Sequence, residues 1–65
     1  MTRLVIVFGS NHLWAIAPTL KEAVSKAERP KQWIAYSIHP DTTVDGMGMM
    51  TYPKGHAPIE LERKK

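Results

Sequence analysis

Three histidines and two aspartates are the residues in this chain best suited to chemistry. His39-Pro40-Asp41 sets an imidazole two positions from a carboxylate, and Asp45 and His56 lie further along. A carboxylate next to an imidazole can orient it for proton transfer, or the two can share a metal ion. Ser10 and His12 form a second near pair, a hydroxyl beside a base. Neither pair has the third group that would orient the base, and nothing marks an oxyanion hole. No two histidines lie three or four positions apart, as zinc motifs place them, and the chain has no cysteine, so no zinc motif is present. Val7-Phe8-Gly9-Ser10-Asn11 has one glycine where a dinucleotide loop needs three. The expectation is a non-enzyme with no metal, cofactor or small-molecule substrate. A chain of 65 residues is also short for enclosing a pocket of about 300 Å³ or more.

His39-Pro40-Asp41 resembles the HPD signature through which J-domains engage a chaperone partner. That signature lies between two long helices, and the resemblance extends over three residues. Here Trp33-Ile34-Ala35-Tyr36-Ser37-Ile38 leads into it with strand character, and Gly46, Gly48 and Pro53 break the segment on its C-terminal side. The triplet is read instead as a strand end, with Pro40 stopping the ladder and Asp41 shaping a turn.

The elements that would position these residues are organised by one helix. Thr19-Leu20-Lys21-Glu22 fits a capping box, and Leu20, Ala23, Val24 and Ala27 fall on one stripe at helical spacing. Lys26 and Arg29 complement the dipole of a helix over 19–29, and Pro30 ends it. The stripe is small-sided and suits a flat sheet. Arg3–Phe8 is apolar on both faces, as in a central strand. His12–Ala17 and Gln32–His39 alternate, and Asp45-Gly46 is a hairpin dipeptide leading to a weaker strand over 47–52. Ile59–Glu62 reads as an edge strand or as part of a flexible basic tail over 59–65, outside a single domain over 1–58. The fold expected is α+β: a two-layer domain in the order β-β-α-β-β, with an antiparallel sheet of three to four strands and one helix on one face.

Composition narrows the function. So short a chain buries a thin core, and without cysteine it has no disulfide to support it. No run approaches the roughly 20 apolar residues of a membrane span, and the apolar run near Met1 is short for a signal peptide. A soluble, cytoplasmic protein with no membrane partner is expected. The net charge is +3, and residues 1–31 carry the whole excess apart from a separate Arg63-Lys64-Lys65 tail. With one helix available, one sheet face would stay open, carrying Val5, Val7 and aromatic residues.

The leading expectation is a protein-binding module, an inhibitor or regulator of a larger complex, that works on a protein partner or by self-association. Trp14, Trp33 and Tyr36 would anchor it, with Met47, Met49 and Met50 as adaptable contacts. Short cysteine-free chains of this make are common among phage and mobile-element accessory proteins. The alternative is a nucleic-acid binder using Arg3, Lys26, Arg29 and Lys31 as a basic rim and the aromatic residues for stacking.

Overall fold

A computed structural model describes residues 3–9 and 14–65 of the chain. Among the described residues, six strands and one helix succeed one another: β1 (Leu4–Gly9), β2 (Trp14–Ala17), α1 (Leu20–Lys26), β3 (Trp33–Ile38), β4 (Thr43–Val44), β5 (Met50–Thr51) and β6 (Ile59–Lys64). The main sheet is fully antiparallel, in the order β2-β1-β3-β6, and β4 pairs only with β5. One helix with a four-stranded antiparallel sheet is the α+β architecture the sequence pattern predicts. The order differs from β-β-α-β-β in one respect. Asp45-Gly46 closes a separate small hairpin, and the fourth strand of the sheet is β6.

The helix begins as its capping box requires, with the Glu22 amide donating to Thr19 Oγ1 at 3.2 Å. It ends at Lys26, three residues before the expected Arg29. The Glu28 amide donates to the Ser25 carbonyl and the Arg29 amide to the Val24 carbonyl, each at 3.0 Å, which is the Schellman closure. Glu28 and Arg29 adopt left-handed backbones to make it, at φ 63° and 48°.

Strand alternation divides the apolar residues between two faces. Register pairs Val5 with Ala17 and Ser37, and Val7 with Ala15 and Ala35. These residues face α1, and Val5, Val7, Ala15, Ala17, Ala23, Ala27 and Ala35 make one buried cluster. Alanine on both sides brings helix and sheet close, while Leu20, Val24 and Trp33 pack around the rim. The expectation that Val5 and Val7 lie on an open face is therefore corrected: they lie under the helix. The larger set, Leu4, Ile6 and Phe8, points the other way.

That other face is not open either. Ile6 is 0% exposed and Ile38 1%. A sheet alone leaves such residues wet, so this face is covered too, in part by the β4–β5 turn. Gly48, in the β4–β5 turn, lies so close to Phe8 that an added Cβ would stand 3.7 Å from its ring. The expected free sheet face is thus replaced by a second small core, and among the described residues the exposed large apolar side chains are Trp14, Met47, Met49, Tyr52, Ile59 and Leu61.

Among the described residues, no helix is long and apolar enough to cross a membrane.

Candidate functional site

Among the described residues, those with apparent chemistry are engaged in local structure. His39 is buried, and its Nδ1 accepts the Asp41 amide at 3.0 Å. The lone pair of Nδ1 is thereby used to shape the turn closed by the Thr42 amide on the His39 carbonyl, at 2.9 Å. The Asp41 carboxylate lies 3.9 Å from the same nitrogen but is largely in solvent, so the amide contact governs. The rings of His39 and His56 meet at a tilt of 51°, with 4.7 Å between centroids. Among the described residues no three His, Asp or Glu side chains converge as metal ligands. The Ser10–His12 pair, and the start of the expected second strand, lie outside the described residues.

The surface with more to offer is the margin of the second core. In register, Trp14 stands beside Phe8, Phe8 beside Ile34, and Ile34 beside Arg63, forming one row across four strands on the face away from α1. At the β2 end of this row, Phe8, Trp14, Gly46, Met47 and Gly48 line a recess of about 300 Å³. Trp14 is 44% exposed and Met47 90%, with Met49 also exposed. At the β6 end, a shallower recess of about 350 Å³ wraps the end of the sheet, lined by Phe8, Gly9, Gln32, Ile34 and Arg63 together with Trp33, Lys64 and Lys65, of which Trp33 and its register partner Lys64 belong to the helix side. Phe8 belongs to both recesses.

Hydrogen bonds hold the Met47 side of the first recess. Asp45 Oδ1 accepts the Met47 amide at 2.9 Å and the Met49 amide at 3.0 Å. The backbone closes from Gly48 N to Asp45 O at 3.1 Å and from Asp45 N to Met49 O at 3.0 Å. Gly48, at φ 84°, supplies the left-handed residue that a three-residue hairpin loop needs.

The anchors named from sequence are distributed unequally. Trp14, Met47 and Met49 lie exposed at or beside the first recess, and Met50 is half-buried in β5. Tyr36 is half-buried, with its ring edge-to-face with Phe8 at 6.1 Å. Trp33 stands on the helix side, packed against the core. The basic set named for nucleic acid does not form one rim. Arg3 reaches Ser37, with Nε donating to Oγ at 2.7 Å and Nη2 to the carbonyl oxygen at 2.8 Å. It precedes Leu4, which pairs with Ile38, whereas Lys31 precedes Trp33, which pairs with Gly9 at the far end of the sheet. Six strand residues separate these ends, about 20 Å. Lys26 sits on the helix, on the opposite layer from the recesses, and Arg29 is in its closing turn.

Two contributors escaped the sequence reading. Phe8 looked like ordinary strand interior, although it sits one residue before the Gly9 that ends β1. The Arg63-Lys64-Lys65 run looked like a solvated tail, but the pairing of β3 with β6 brings it to the start of β3. Comparisons with family models, with curated proteins and with solved structures gave no match.

Proposed function

We propose that this chain is a non-enzymatic protein-binding module that docks a partner at the recess between Trp14, Phe8 and the Met47 turn. One observation carries the reading: a large aromatic and a nearly bare methionine flank an apolar hollow in a chain with little core to spare. Exposed Trp is a common interface anchor, and Met adapts to the shape that meets it. The hollow is near the lower limit for a ligand pocket, roughly 300 Å³, and suits one inserted side chain.

The test is affinity capture from cells that encode the chain, with wild type beside Met47→Glu. Met47 is mostly in solvent, so the variant keeps the fold, which circular dichroism verifies. A partner captured by wild type and lost from Met47→Glu supports the reading. Capture of identical proteins by both, or of none, defeats it. Trp33→Ala is a poor control, because Trp33 packs against the core.

A further inference from the structure

We infer that the partner segment is acidic: an extended peptide with one large apolar anchor and carboxylates beginning about four residues from it. This rests on the recess reading above and specifies the chemistry of its occupant. The two recesses share Phe8 and lie along one row, so a ligand seated in the first continues naturally onto the second. Three inter-strand steps of about 4.8 Å put Trp14 some 14 Å from Arg63, which an extended chain spans in about four residues. At the far end Arg63 lies in the row itself, while Lys64, the register partner of Trp33, and Lys65 line the same recess from around the end of the sheet. Arg63 also binds Glu60 at 3.1 Å, but that pair is in solvent and yields readily to a competing carboxylate.

Other occupants fit less well. A second copy would bring its own basic surface, since the chain carries +3. The free edge of β6 is also blunted against pairing with itself, by four charged residues and by the register shift opposite Ala35 and Tyr36. A nucleic-acid strand needs cations along its whole path, whereas this row is basic at one end and apolar at the other.

Selection from a library of random 12-residue peptides tests the inference, run on wild type with Met47→Glu and Lys64→Ser/Lys65→Ser as counter-targets. Expected are peptides with an aromatic or aliphatic anchor and Asp or Glu about four positions away, lost on Met47→Glu. Their affinity should fall about three- to tenfold on Lys64→Ser/Lys65→Ser, or when their acids become amides. Anchored peptides without acids, insensitive to the lysines, would overturn the inference and leave the recess reading standing. No Met47-dependent enrichment would overturn both. Tighter binding of oligothymidylate than of any selected peptide at 150 mM salt would assign the row to nucleic acid instead.

Discussion

Glu28 is the residue whose conformation conflicts most with its chemistry. It occupies the position after the helix cap that glycine commonly fills, with φ at 63° and with both closing hydrogen bonds made. An L residue there costs about 1–2 kcal/mol relative to the right-handed region, part of which glycine loses again to unfolded-chain entropy. Glu28→Gly is therefore expected to stabilise the domain by roughly 0.5–1 kcal/mol. In a protein of this size that raises Tm by about 4–8 °C per kcal/mol, which a thermal melt monitored by circular dichroism resolves. A fall in Tm would mean that Glu28 makes a favourable contact outweighing its backbone strain. Arg29 has the same backbone hand, but Pro30 comes directly after it and restricts what any replacement could gain.

At the scale of elements, the β4–β5 hairpin connects fold and site. Its two paired positions per strand would not hold in water alone. Asp45 compensates by accepting two amides of the turn that carries Met47 and Met49. Asp45→Ala removes the Oδ1 that accepts both amides and leaves the Gly48 closure. The expected result is a loss of about 1–2 kcal/mol. Hydrogen exchange at Met47 and Met49 should speed up about tenfold while amides in β1 and β3 stay protected. Equal acceleration everywhere would show that the hairpin opens only when the whole domain does. The helix start and the strand character of 33–38 were legible in the sequence because capping and alternation are local properties. The partner of each strand was not. Nothing in Ile59-Glu60-Leu61-Glu62 says that it pairs with β3, and Asp45-Gly46 reads the same in a free hairpin as in a sheet corner. The face under the helix was also ambiguous, because β1 is apolar on both sides. The choice comes from size: Ala23 and Ala27 come close to Val5, Val7, Ala15 and Ala17, whereas Leu4, Ile6 and Phe8 need a looser cover.

For the molecule as a whole, the decisive interaction is the one farthest along the chain. β6 closes the sheet against β3 and covers its edge from Trp33 to Ser37. Without it β3 would be an edge strand carrying Ile34, Ala35, Tyr36 and Ile38, a bare apolar margin prone to pairing with other chains. A domain this small has little burial to lose. A chain ending at Pro58 is therefore expected to lack a cooperative thermal transition and to aggregate at micromolar concentration, whereas the full chain melts in one step. Sedimentation and a circular dichroism melt compare the two directly. A sharp melt from residues 1–58 would show that the two cores on either side of β1 suffice. β6 would then be an appended strand whose purpose is to carry Arg63, Lys64 and Lys65 to the end of the row. The expected loss of folding instead makes the basic end inseparable from the fold, since the strand that completes the sheet is also the one that delivers its charge to the recess.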